Sequence, residues 1–348
     1  MHLMRTLWFD ALTPKQLRIA KYVRELATKR GYSFLLTSRK YDELSGMAEL
    51  LGLKPEFIGE HGGSDSAAKL KASVNRLSSL LRRLADEELG CIVCHGSPEA
   101  TRIGFGKGAF TININDSPHA EAVARLTVPL TTKLISSSYI PARAWRAYGL
   151  RTDGLIQYRG FEVVSWLKRE RESQVSLPEK LRRPIVAFRP EEIKAAYLHV
   201  GTEDSYLSGA LREAQEELGF SLVVLPRYKS QRRALRESLP DSYVLDRQID
   251  GLALIDNCDV FIGAGGTMTW EAALSGKPTL SAFPMRTYVG AALGKAGLIT
   301  HTTSKELKRR LKHALTESTL SKNKRQQYAA SFLSSLEDPL EILGRTIP

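Results

Sequence analysis

VFIGAGGTMTWEAALSGKPTL, residues 260–280, decides the fold. An apolar strand at 259–262 runs into a turn made by Gly263, Gly265 and Gly266. Residues 267–274 then read as a helix closed by Gly276, and a second strand opens after Pro278. A strand, a glycine turn, a helix and another strand make the repeating unit of a parallel sheet covered by helices. Backbone amides at such a helix start point outward and attract anions. A dinucleotide, a nucleoside triphosphate and a nucleotide sugar are the ligands to separate.

The same alternation runs through the whole chain. In the first half TLWFD, YSFLLTS, EFIG, CIVCHG, FTININD and TKLISSS are short apolar segments separated by helical ones such as PKQLRIAKYVRELATKRG, where Leu17, Ala20, Val23 and Leu26 recur at helical spacing. PIVAFR, SLVVLP, SYVLD, DVFIG and PTLSAF repeat the logic in the second half. A chain of 348 residues exceeds what one hydrophobic core organises. The expected fold class is therefore α/β, with two doubly wound Rossmann-like domains facing a cleft. Residues 1–167 form the first domain and 184–348 the second, with helices over 304–343; the charged, apolar-poor stretch 168–183 reads as a linker.

With 43% hydrophobic and 25% charged residues the chain is globular, not disordered. No apolar run approaches the roughly 18 residues of a membrane span, and MHLMRTLWFD enters a strand instead of a signal peptide, so a cytoplasmic location is expected. Cys91 and Cys94 fall inside an apolar strand, where a redox pair is not expected, and Cys258 reads as a core residue. The net charge of +12 is spread over both halves and comes with no zinc spacing or RNA-binding aromatic motif, which argues against nucleic acid. A helix over 67–87 carries a stripe of Leu70, Val74, Leu77, Leu80, Leu81 and Leu84, edged by Lys69, Lys71, Arg76, Arg82 and Arg83. It reads first as a helix packed on the sheet with a solvated basic face, and second as a contact for the inner membrane surface.

A Walker loop requires GxxxxGK followed by a hydroxyl residue, and the 260–280 turn has neither. GFGKG at 104–108 precedes a strand, where a phosphate loop would open a helix, and reads as a turn. A dinucleotide fold needs a third glycine where Met268 stands, and an acid after the next strand, which ends in AFP. Glu271 lies instead one helical turn into the helix, the right distance for a ribose whose diphosphate rests on the glycine turn. The competing reading makes GAGG a tight connection and Glu271 a solvated helix residue.

QIDGLALIDNCDVFIGAGGTMTWEAALSGKPTLSAFP resembles the nucleotide-sugar-binding core of GT-B glycosyltransferases and of UDP-N-acetylglucosamine 2-epimerases. The resemblance implies that Gly265, Gly266 and Thr267 take the diphosphate and Glu271 the ribose of a nucleotide-sugar donor, expected to be UDP-linked; Gly263 and Met268 of the same turn are placed with them at the nucleotide. WFDALTPKQ, GEHGGS, CHGSPEA, INDSPHAEAVARLT, AFRPEE and VLPR extend a resemblance over nearly the whole chain to one mainly archaeal family, domain of unknown function 354. That resemblance implies a GT-B-like fold.

In doubly wound sheets, ligands bind beyond the carboxyl ends of strands. Asp10, then His61, Gly62 and Gly63, then His95 and Ser97, then Asn115, Asp116 and His119 follow the first, third, fourth and fifth strands. Singly each is an N-cap or turn residue; together they mark one sheet edge as the substrate side. Arg189, Glu191 and Arg227 end strands of the second half, and an arginine there matches phosphate geometry. Glycosyl transfer must stabilise a departing diphosphate and deprotonate an acceptor hydroxyl. Asp116 and His119, with His95 beside them, are the candidate bases. No DxD or His/Cys/Asp cluster is evident for a metal, so neither metal nor cofactor is expected beyond the nucleotide-sugar donor. The 2-epimerases resemble this chain at HGSP and HAEAVARLT, yet their pattern has an acid where Ser97 stands and carboxylates near Asn115 and Ala122. Transfer is therefore favoured over epimerisation, and a non-catalytic nucleotide-sugar-binding protein is the third reading. The acceptor, whether glycan, lipid or small molecule, is left open.

Overall fold

In a computed structural model of the protein, residues 5–63, 65–170, 177–178, 181–193 and 203–348 are described, apart from the side chains of residues 42 and 43. Residues 171–176 and 179–180, half of the expected linker, lie outside the described residues. The chain divides into two units, one running to Ser165 and taking in Glu337–Pro348, the other running from Trp166 to Leu336.

The first unit alternates β1 (Thr6–Ala11), α1 (Pro14–Lys29), β2 (Ser33–Lys40), α2 (Asp42–Leu50), β3 (Glu56–Glu60), α3 (Ser66–Arg83), β4 (Leu89–Cys94), α4 (Pro98–Lys107), β5 (Phe110–Ile114), α5 (Glu121–Thr127), β6 (Lys133–Ser137), α6 (Ala142–Arg146) and β7 (Leu155–Tyr158), with α7 (Val164–Leu167) at its boundary. The strands form one parallel sheet in the order β3-β2-β1-β4-β5-β6-β7. Order reverses between β1 and β4, which puts a ligand crevice at their carboxyl ends. Right-handed crossovers place α3, α4 and α5 together on one face. Beneath them Trp8, Ile92 and Cys94 pack with Leu80, Leu84, Ala100 and Ile103. The three cysteines are buried free thiols, and burial pushes each up to about 12.

The second unit runs β8 (Ile185–Arg189), α8 (Ser208–Leu218), β9 (Ser221–Val224), α9 (Lys229–Ser238), β10 (Tyr243–Val244), α10 (Gly251–Asn257), β11 (Val260–Gly263), α11 (Thr267–Leu274), β12 (Thr279–Ser281), α12 (Tyr288–Lys295), β13 (Thr300–His301), α13 (Ser304–Leu315) and α14 (Thr319–Ser335). Its parallel sheet, β10-β9-β8-β11-β12-β13, reverses order between β8 and β11. Val186, Phe188, Leu222, Val224, Val260, Ile262 and Leu280 fill its core. β7 and β13 are strands that the apolar runs did not announce.

Three expectations are corrected. GFGKG is not a free-standing turn: Ser97 caps α4, Pro98 opens it, and its last turn runs through Lys107 to a left-handed Gly108. Arg76 does not belong to a solvated face, since it is buried and ion-paired with Asp10. Leu80 and Leu84 of the same stripe are buried, whereas Leu70, Val74 and Leu81 are exposed. The last helix, α15 (Pro339–Thr346), joins the first unit instead of the second. This C-terminal segment buries Leu340, Leu343 and Ile347 there, while Asp338 accepts a hydrogen bond from Ser165 (2.9 Å) and the Pro348 carbonyl one from Tyr32 (2.9 Å).

A chain ending at Leu336 should therefore lose on the order of 5 kcal/mol from the first unit, from three exposed aliphatic side chains. Hydrogen exchange should show lost protection in β6 and β7 with β8–β13 unchanged; equal loss in both sheets would contradict the placement of α15.

Candidate functional site

At the order reversal of the first sheet, Asp10 is fully buried and does not face a substrate. Its Oδ1 accepts from Arg76 Nη2 (2.5 Å) and Thr37 Oγ1 (2.6 Å), and its Oδ2 from Arg76 Nη1 (3.0 Å) and Ser97 Oγ (2.6 Å). Burial opposes ionisation, yet the Arg76 guanidinium and these donors hold the carboxyl below the usual range. Ser97 also caps α4 through Ala100 N–H (3.1 Å), and Asn115 Oδ1 accepts from Ser117 N–H (2.8 Å). Asp10, Ser97 and Asn115, expected as substrate ligands, are thus structural supports of the loops. Gly62 sits where a Cβ would come within 2.5 Å of the Lys69 backbone, Gly63 has φ +75°, and His61 Nδ1 accepts from Gly63 N–H (2.9 Å) with its ring 4.5 Å from that of Tyr41. Among the described residues no hydrogen bond ties these three to the group around His95.

That group is His95, Asp116 and two residues the sequence did not single out. Lys15, in the first turn of α1, places Nζ 2.7 Å from Glu162 Oε2 and 3.2 Å from Asp116 Oδ2. His95 Nε2 lies 2.8 Å from Glu162 Oε1, and Gln16 Nε2 donates to the His95 carbonyl (2.9 Å) and stands 3.5 Å from its Nδ1. An ε-protonated ring, bonded to Glu162 and faced by the Gln16 amide, fits these contacts. Burial opposes charge on both Lys15 and Asp116, but each overrides it for the other: the ammonium is held above its usual range and the carboxyl below. His119 is half-buried, and burial lowers its pKa against the pull of Asp116. It is consequently a neutral imidazole near pH 7 that Asp116 would stabilise on protonation.

His95, Asp116 and Glu162 offer ligand atoms within 4.8 Å of one another, a grouping that corrects the expectation of no such cluster. The donor set suits a divalent ion, but Lys15 Nζ already bonds both carboxylates. A cation there would have to displace the ammonium.

In the second unit the reversal lies between β8 and β11. Gly265 and Gly266 have φ +98° and +95°, and a Cβ on Gly265 would fall 2.3 Å from the Phe283 ring. α11 starts after Gly266, which offers no side-chain cap, and has no acid in its first turn. The Thr269 N–H closes on the Gly266 carbonyl (3.1 Å), and the Thr267 and Met268 amides ahead of it are left for another acceptor. Arg227 Nη2 lies 3.7 Å from where a Cβ of Gly266 would stand, while its Nε donates to the Pro190 carbonyl (3.0 Å). Met268 packs its side chain on Gly251, so only its backbone is placed for a ligand.

Three other residues of this unit differ from expectation. Glu271 is buried, not a solvated or exposed helix residue, and accepts from Trp166 Nε1 (2.7 Å), an indole that no motif marked as its partner. Arg189 is buried with Nη1 on the Leu225 (2.9 Å) and Pro226 (3.0 Å) carbonyls, so it shapes the loop that carries Arg227. Glu191 is fully buried, accepting from Ser205 Oγ (2.8 Å) and Tyr206 N–H (2.9 Å), which makes it a loop anchor.

The family described as "Protein of unknown function (DUF354)" matches residues 6–346. "Uncharacterized protein MJ0665" of Methanocaldococcus jannaschii is 26% identical over 285 residues, 80% of this chain and 81% of that protein. Among solved structures, UDP-GlcNAc 2-epimerase from Neisseria meningitidis bound to UDP-GlcNAc has a TM-score of 0.72 at 16% identity, covering 99% of both chains. The spinosyn rhamnosyltransferase SpnG complexed with thymidine diphosphate has 0.62 at 15% identity, covering 99% of this chain and 100% of that one. At such identities the likeness is one of fold.

Replacing Lys15 with Met leaves buried Glu162 and partly buried Asp116 without their cation and should cost about 3 kcal/mol at neutral pH. In the wild type, Asp116 with its depressed pKa adds stability above the unfolded value of about 4, lost as pH falls through the folded one. Without Lys15, burial pushes the Asp116 carboxyl above its unfolded value, so the deficit should shrink from pH 7.5 to pH 5 in urea unfolding. A deficit that is absent, or constant with pH, would contradict the pairing.

Proposed function

The chain belongs to the DUF354 family, and from its site geometry we propose that it is a nucleotide-sugar-dependent, metal-independent glycosyltransferase of GT-B type. The uncapped start of α11 beside Arg227 carries this reading. It offers backbone donors and a guanidinium to a diphosphate, at the sheet position where doubly wound folds bind ligands. The neighbours in complex with UDP-GlcNAc and thymidine diphosphate support the ligand class. Glu271, oriented by Trp166, would take the ribose.

In transfer, the bond between the sugar's anomeric carbon and the diphosphate oxygen breaks, and the leaving charge falls on α11 and Arg227. The acceptor oxygen bonds to that carbon as its proton passes to His119. Asp116, kept ionised by Lys15, stabilises the imidazolium that results. No step calls for a divalent ion, and the Lys15 ammonium supplies the positive charge among the acids.

Epimerisation is the second reading, favoured by one observation: Glu162 supplies the carboxylate that the sequence pattern lacked, next to Asp116 and Lys15. Asp116, held below the usual carboxylate range by Lys15, is a weak base for a carbon-bound proton, and Glu162 is occupied by Lys15 and His95.

Incubation with UDP-sugars in deuterated water, with EDTA present, separates the readings. Transfer predicts slow release of UDP with no deuterium at the sugar's second carbon, and a loss of roughly 100-fold in His119→Asn with UDP affinity unchanged. Deuterium at that carbon would establish epimerisation instead. Release abolished by EDTA and restored by manganese would overturn the metal-free mechanism, and neither reaction with a tightly bound sugar would leave a binding protein.

A further inference from the structure

Leu70, Val74 and Leu81 of α3 are 66%, 57% and 46% exposed, although Leu80 and Leu84 beside them are wholly buried. Scattered apolar residues on a surface are ordinary. These three are not scattered: spacings of four and seven put them on one line along the outer face, with Lys71 and Arg82 exposed beside them. α4 packs against α3, and α5 against α4, in the layer that covers this side of the sheet. They add Phe105 at 61% and Leu126 at 56% exposure. Five of the ten large apolar side chains that stand exposed among the described residues therefore lie on three adjacent helices.

The charge on α3 itself has one sign. α3 contains no acidic residue from Ser66 to Arg83, and its cap, Asp65, is engaged with Ala68 N–H (2.7 Å). The outer face of α4 shows Arg102 and Phe105, while Lys107, nearly opposite Phe105 around the helix, donates to the Leu84 carbonyl (2.5 Å). On α5 the acid, Glu121, pairs with Arg125 of the same helix (2.7 Å). An apolar stripe edged by cations, lying flat on a layer of helices, matches a surface that is apolar below and anionic above. A second copy of the same face would bring lysines and arginines against one another, so self-association is the poorer fit.

We propose that the outer face of α3, α4 and α5 docks the protein on an anionic lipid bilayer. Leu70, Val74, Leu81 and Phe105 enter the interface between headgroups and acyl chains, while Lys71, Arg82 and Arg102 meet the lipid phosphates. The attachment is peripheral, since no helix among the described residues is long and apolar enough to cross a membrane. It is independent of the reaction proposed above, because none of these side chains belongs to the His95 group or to the α11 turn.

The test is co-sedimentation of the full chain with vesicles of phosphatidylglycerol and, separately, of phosphatidylcholine. The wild type should pellet with the first and not the second, and release at high salt. The exposed triple substitution Leu70→Ser/Val74→Ser/Leu81→Ser and, separately, Lys71→Glu/Arg82→Glu should each weaken the partition by about tenfold or more. Unchanged thermal unfolding and UDP binding would show that both variants fold. Wild-type protein left in the supernatant, equal binding to both lipids, or a folded triple variant that binds as well as wild type would overturn the proposal. So would a wild-type dimer in analytical ultracentrifugation that the triple substitution converts to a monomer without any vesicle binding, which would make the face a contact between copies.

Discussion

Two consecutive glycines at φ +98° and +95° set the terms for the second unit. Gly265 has no room for a side chain against Phe283, and the backbone at both positions is one that other residues rarely adopt. The chain therefore enters α11 with its leading amides pointing out and no side chain to cap them. α4, at the corresponding reversal of the first sheet, is capped by Ser97, which is tied in turn to Asp10. The same topology thus yields an open helix start in one unit and a closed one in the other, which is why the diphosphate is assigned to the second.

The first unit offers buried charge instead. Asp10 and Arg76 form a nearly dry ion pair that fixes β1, α3 and the loop after β4, and its value lies in geometry more than in stability. Lys15, Asp116 and Glu162 form a second, partly wet set around His95, with side-chain exposures from 2% to 15%. This difference in access separates scaffold from chemistry: the Asp10 network has no face for a ligand, whereas the Lys15 set leaves half-buried His119 beside an ionised carboxylate.

Much of this was legible in the sequence, and the illegible parts share a cause. The β11–α11 turn could be read because glycine encodes the required backbone and the flanking periods differ between strand and helix. Asp116, His119 and His95 could be placed at one sheet edge because strand ends are visible as the close of apolar runs. Lys15 and Glu162 could not. One opens a helix and the other follows β7, a four-residue strand with little apolar signature, and their meeting depends on a separation of 147 positions along the chain. Arg76 looked like part of a basic face because its partner lies 66 residues earlier. The competing reading of Glu271 as solvated stayed open because Trp166, its donor, is 105 residues away. PLEILGRT announces a helix by its pattern, but the side chains that cover it, not its own, decide which unit receives it.

Whether the α11 turn holds a nucleoside diphosphate is tested most directly by a crystal structure of the protein with bound UDP. The β-phosphate should lie within about 3 Å of the Gly266 and Thr267 amides, with the Arg227 guanidinium turned onto it and the ribose at Glu271. A diphosphate seated elsewhere, or a turn left empty at saturating UDP, would contradict it.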